Sequence, residues 1–256
     1  MKKTKLASMI TAAVVILGVS LTLASQKSDR IESSAKKSYV FKTYLKNDDI
    51  TIKVVNDDIV TLTGTVTEWS HRALAEETVA GFPGVKRVDN KLKVKDESSE
   101  NSDTWIGMKV KTMLLFHQNV SGFNTEVHVS DGIVTLTGEA ANEAQKELTV
   151  EYVKDVDGVK NVTNNMTVEK SGKTTVQKAG DTIDDASITA QVKLALLFHH
   201  STSAIKTNVE TKNGIVTVRG IAQNSAEKAL VGKLVNDIKG VKGLINEITI
   251  GQISME

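Results

Sequence analysis

The chain has 256 residues, with 32 Lys and Arg against 31 Asp and Glu and a formal net charge of +1, so it lacks the basic excess that binding to nucleic acid requires. At 40% hydrophobic and 25% charged residues it has the make-up of folded globular protein. It contains no cysteine, which excludes disulfides, thiolate metal sites, a cysteine nucleophile and a lipidated cysteine behind an export signal.

The chain opens with a basic stretch, Met1-Lys2-Lys3-Thr4-Lys5, followed by an apolar run from Leu6 to Leu23. Thr22-Leu23-Ala24 before Ser25 fits the small-x-small rule for signal peptidase. Residues 1–24 therefore read as a signal peptide cleaved near Ala24, which sends the remainder to the periplasm. The alternative is an uncleaved inner-membrane anchor, since the run approaches the length of a spanning helix.

Beyond this leader one stretch occurs three times. It is Asp57-Asp58-Ile59-Val60-Thr61-Leu62-Thr63-Gly64, then Asp131-Gly132-Ile133-Val134-Thr135-Leu136-Thr137-Gly138, then Asn213-Gly214-Ile215-Val216-Thr217-Val218-Arg219-Gly220. Each copy is followed, 20 residues after its last glycine, by Gly-Val-Lys at Gly84, Gly158 and Gly240. The chain is thus an array of three modules, at 29–96, 103–170 and 184–251. Each is too small to bury a large core alone, so the modules are expected to pack on one another.

Within a module the patterns succeed one another in a fixed order. Ile106, Val110, Met113, Leu114 and His117 follow the N-cap candidate Asp103 at helical spacing, as do Ile188, Val192, Ala195, Leu196 and His199 with Asp184 or Asp185 to cap. Ile31, Ala35 and Tyr39 form a weaker stripe after Asp29. An alternating strand comes next, and the pairs Asp131–Gly132 and Asn213–Gly214 supply the positive φ angles of a two-residue hairpin turn. Module one has Asp58 at the glycine position and one residue more in the loop. In the outgoing strand Val134 and Leu136 alternate with Thr135 and Thr137, which makes one face apolar. A second helix carries Leu74, Val79 and Phe82, Leu148, Val153 and Val156, or Leu230, Val235 and Ile238, and the glycine of Gly-Val-Lys is expected to stop it. A last strand returns by a right-handed crossover. The fold class is α+β: three tandem αββαβ modules, each a three-stranded mixed sheet with two helices on one face. The linker from Ser171 to Thr182 is the longer one, which predicts that module three is the more mobile partner.

The Asp-x-x-Ile helix start, the Asp-Gly-Ile-Val-Thr-Leu-Thr-Gly hairpin and the Gly-Val-x-x-Val-x-Asn ending resemble the BON domain family of periplasmic envelope and stress proteins. The resemblance covers the whole chain after the leader, and Asp57-Asp58 is its clearest departure. It implies attachment to phospholipid or to envelope proteins, and it brings no catalytic residues.

Candidate chemistry is sparse. His117 and His199 stand at equivalent places in Leu-Leu-Phe-His, with His200 beside the second. They read as cations or donors complementing a helix C-terminus rather than as metal ligands, which would need further converging groups. No Walker pattern, Gly-x-Gly-x-x-Gly loop or nucleophile elbow is present. No enzyme activity, cofactor or metal is therefore expected. Trp105, with Lys109 on the same stripe and Lys111 nearby, suits a bilayer interface, although Trp105 packing against another module explains it equally well. Module two has six Lys and Arg against ten Asp and Glu over 103–170, which weakens any pull toward anionic lipid. The expected function is weak, multivalent binding of phospholipid surfaces in envelope or osmotic stress protection. The rival is a protein-directed adaptor or chaperone using module surfaces and sheet edges.

Overall fold

The computed structural model describes residues 28–55, 58–95, 102–168, 182–202 and 206–251. The expected signal peptide, residues 1–24, and most of the 171–182 linker lie outside the described residues. Module one comprises helices at 28–37 (α1) and Tyr39–Thr43 (α2), strands Asp49–Val55 (β1) and Ile59–Val66 (β2), helix Trp69–Ala80 (α3) and strand Arg87–Val94 (β3). Module two runs from Ser102–Phe116 (α4) through Thr125–Ser130 (β4), Ile133–Ala140 (β5) and Glu143–Lys154 (α5) to Asn161–Asn164 (β6) and Thr167–Val168 (β7). Module three has Asp185–Phe198 (α6), Thr207–Lys212 (β8), Ile215–Ala222 (β9), Ser225–Asn236 (α7) and Gly243–Ile250 (β10).

Each sheet places the middle strand between an antiparallel and a parallel neighbour. The crossover has one length throughout: Ile59 pairs with Arg87, Ile133 with Asn161 and Ile215 with Gly243. Strand parity follows the sequence pattern. Val134, Leu136, Val216 and Val218 are fully buried under the helices, as are Val60 and Leu62, while the threonines between them face outward.

The two-residue hairpins have φ of 54° at Asp131 and 79° at Gly132, and of 55° at Asn213 and 79° at Gly214, the left-handed pair of a type I′ turn. In module one the paired Val55 and Ile59 enclose one residue more than Ser130 and Ile133 do. The acidic residue at the helix start has another task than capping. The Asp103 carboxylate accepts the N–H groups of Asp131 and Gly132 at 2.7 and 2.8 Å, and Asp185 accepts those of Asn213 and Gly214 at the same distances. Asp184 is the residue that caps α6, accepting the Ser187 N–H at 3.0 Å.

The glycine of Gly-Val-Lys does not stop the second helix. The helices end at Ala80, Lys154 and Asn236, and Gly84, Gly158 and Gly240 (φ 92°, 94° and 89°) lie one turn later. There they hold the third position of a turn closed by Val85 N–H to Phe82 O, and likewise by Val159 to Val156 and Val241 to Ile238. The asparagine that ends the repeat motif ties the last strand to that helix. Asn90, Asn164 and Asn246 donate to the carbonyls of Arg72, Lys146 and Lys228 at 3.1, 3.3 and 3.0 Å.

The helical faces of the modules pack inward on one another. α6 lies against α3 of module one and α4 of module two, and nearly all of its side chains are buried. Small residues permit the approach: Ala190 and Ala195 are buried, and Gly81 abuts Ala186. Module three is therefore the packed centre and not a loosely tethered unit, because burial of α6 outweighs the length of the linker before it.

Modules two and three meet about a pseudo-two-fold axis. Residue for residue they are offset by 82, as Gly132 to Gly214 and Gly158 to Gly240. His117 bridges to Ile238 as Val156 bridges to His199. Gln118 N–H donates to Asp237 O and His200 N–H to Asp155 O, both at 3.0 Å, while Lys239 N–H donates to Phe116 O at 2.9 Å and Asp157 N–H to Phe198 O at 2.8 Å. Each of these backbone bonds has its symmetry mate, the mark of an isologous contact.

Candidate functional site

The three residues singled out for lipid contact do not form one patch. Trp105 is half-buried, with its ring edge-on to Trp69 of module one at 4.7 Å, and Trp69 in turn lies 6.3 Å from Phe198 of module three. Lys109 is 5% exposed and its Nζ donates to the half-exposed Asp157 Oδ2 at 2.7 Å, so its charge is paired at the protein's edge. Lys111 alone is exposed. The packing alternative accounts for Trp105, and the ion pair removes Lys109 from any surface role.

His117 and His199 also have a different task from the expected one. Both are fully buried at the pseudo-two-fold joint. Burial pushes the His117 imidazole down to about 4, with Lys239 and His199 acting the same way against the pull of the Asp237 backbone. His199 is likewise lowered by burial, against the attraction of Asp155. At neutral pH both rings are uncharged, so neither serves as a cation on a helix dipole. His117 stacks on Tyr152 at 3.8 Å, and His199 on His200 at 5.0 Å. Asp155, His199 and His200 bring a carboxylate oxygen and two ring nitrogens within 4.8 Å of one another. The histidines were visible in the sequence. Asp155 was not, because it comes from the other module and only the joint delivers it.

With the helices turned inward, the outer faces of the three sheets are turned to solvent. Each presents an isoleucine at the hairpin end: Ile133 and Ile215 are 43% and 45% exposed, and Ile59 is half-buried. An exposed lysine stands just before the paired strand in each case, at Lys86, Lys160 and Lys242. The stems of Lys160 and Lys242 lie over Gly132 and Gly214, and Lys160 Nζ donates to Asp131 O at 3.0 Å. Module three adds Ile221, 66% exposed, and Ile245, while Arg219 spans its sheet by pairing with Glu210 at 3.1 Å and Glu247 at 2.6 Å. No helix among the described residues is long and apolar enough to cross a membrane.

Three small α+β modules in tandem, each a mixed sheet with helices on one face, define the class of protein. The family model for the BON domain matches residues 27–96, 102–170 and 184–252, and the chain belongs to that family. Osmotically-inducible protein Y of Escherichia coli (strain K12) is 29% identical over 147 residues, which cover 57% of this chain and 71% of that protein. A protein of Anaplasma centrale, described as an uncharacterized protein in the gshII 5′ region, is 31% identical over 149 residues, 58% of this chain and 94% of its own. Among solved structures, the C-terminal domain of CdsD, a structural protein of the type III secretion system of Chlamydia trachomatis, aligns with 83% of this chain and 96% of its own at 14% identity and a TM-score of 0.24. The periplasmic domain of PrgH from S. typhimurium aligns over 82% and 97% at 11% identity and a TM-score of 0.18. Neither structural likeness is close enough to bear on function.

Proposed function

We propose that this protein is an exported, non-enzymatic envelope protein that binds phospholipid surfaces weakly through the hairpin ends of its three sheets, in protection against osmotic stress. The observation that carries the reading is an isoleucine beside an exposed lysine at each hairpin end, exposed in modules two and three and half-buried in module one. The osmotic setting is supported by the relative named for osmotic induction, and export by the basic and apolar stretches of residues 1–24. Withdrawing one isoleucine from water contributes about 1.5–3 kcal/mol, and a lysine near anionic lipid about 1 kcal/mol. One module then binds at roughly millimolar strength, so linkage of three supplies the useful affinity. The test is co-sedimentation of the chain from Ser25 onward with vesicles containing phosphatidylglycerol. Binding should weaken with salt and fall in Ile133→Ser combined with Ile215→Ser, with the melting temperature unchanged. Absence of binding at low salt overturns the reading.

A second reading rests on β10, which among the described residues pairs only with β9 and carries the exposed Ile245 and Ile250. Such an edge can accept an extended peptide as a further strand. Peptide capture lost in Ile245→Lys, from a protein that ignores vesicles, would favour that adaptor role.

A further inference from the structure

The pseudo-two-fold joint presents one local surface twice, and the two copies differ at positions that matter chemically. At one end His117 stacks on Tyr152, whose hydroxyl hydrogen-bonds with Asp237, and Gln118 follows the histidine. At the other end the counterpart of Tyr152 is Leu234, and that of Gln118 is His200. Asp155 therefore lacks the phenol that Asp237 has, and a second imidazole stands beside it.

We propose that Asp155 of module two with His199 and His200 of module three form a binding site for a borderline divalent transition-metal ion, Zn²⁺ by preference, that ties the two modules together. His199 Nε2 is buried, lies 3.8 Å from Asp155 Oδ2 and has no hydrogen-bond partner. A buried polar atom in that condition is costly unless a ligand completes it. His200 Nδ1 lies 2.9 Å from the Asp155 carbonyl; donation there puts the ring's lone pair on Nε2, the arrangement by which backbone oxygens orient metal-binding imidazoles. Ligand atoms of tetrahedral zinc stand about 3.3 Å apart. Each of the three residues offers one ligand atom within 4.8 Å of the others, and side-chain movements of about 1–1.5 Å bring such a set to that spacing. Two imidazoles and one carboxylate select zinc or its neighbours over magnesium and calcium, which prefer oxygen alone. His200 is exposed, so the ion can enter from solvent and complete its coordination with water.

One contact opposes the ion. His199 Nδ1 accepts the Ser201 N–H at 3.1 Å, and metal at Nε2 moves the ring proton to Nδ1 and gives up that bond. The expected affinity is accordingly micromolar and not nanomolar. Burial already keeps the His199 ring in the neutral form that ligates.

Calorimetric titration of the metal-free chain with Zn²⁺ at pH 7.5 tests the site. One ion should bind with a micromolar Kd and raise the melting temperature by several degrees. His200→Gln and Asp155→Asn, both outside the buried core, should keep the zinc-free melting temperature while weakening binding tenfold or more. Millimolar binding in the unaltered chain, or micromolar binding that both variants retain, overturns the proposal. Either result leaves the lipid reading untouched, since the hairpin ends contribute nothing to this cluster.

Discussion

His117 holds an imidazole where water does not reach, and its ionisation is therefore coupled to folding. The ring's ordinary value is near 6.5, and the folded value is about 4. Between these limits the unfolded chain binds a proton that the folded chain refuses. The contribution of this residue is thus complete above about pH 6.5 and is lost as the pH falls toward 4. The difference corresponds to about 3 kcal/mol at most, read from a shift of that size at 1.4 kcal/mol per unit. Urea melts at pH 7 and pH 5 should show the loss, and His117→Phe should flatten that interval. An unchanged slope in the variant would mean that carboxylates set the pH dependence instead. The neighbours bear on the same ring: Lys239, itself lowered to about 8 by burial, faces it together with Asp237, His199 and Tyr152.

At the scale of the element, local chemistry decided most of what could be read in advance. A type I′ turn needs two residues with positive φ, so Asp131–Gly132 and Asn213–Gly214 announced their hairpins. Alternation announced strand parity, and parity gives a sharp contrast. Leu136→Ala should cost about 2–5 kcal/mol, whereas Thr135→Ala on the outer face should stay within about 0.5 kcal/mol. Urea denaturation of both variants checks this, and equal losses would contradict the parity. What was misread has one cause. Asp103 looked like a cap because caps are local, but its partners are the turn amides of residues 131 and 132. Gly84, Gly158 and Gly240 looked like helix stops because a turn closed by a carbonyl three residues back leaves no separate mark in the sequence. Lys109 was grouped with Trp105 at a bilayer interface because the carboxylate that pairs with it stands 48 residues away.

The whole molecule was the least legible scale. That the modules would pack was expected from their size, but which faces meet depends on shape across residues far apart in the chain. Trp105 shows the consequence. With Trp69 and Phe198 it stands where all three modules converge, and an aromatic pair of this kind contributes about 0.5–1.5 kcal/mol beyond the area it buries. Trp105→Ala should lower the melting temperature of the entire chain by several degrees as a single transition. A variant that melts in two steps would show that module one is held on separately from the other two.

The joint between modules two and three has a further meaning for how such a chain can change over generations. Two identical subunits about a true axis must carry every substitution twice, so a side chain useful at one end is imposed on the other. Fusion in one polypeptide lifts that restriction. The paired backbone bonds are the same at both ends, while Tyr152 has Leu234 as its counterpart and Gln118 has His200. Covalent linkage thus permits a dimer-like geometry whose two halves are chemically unequal.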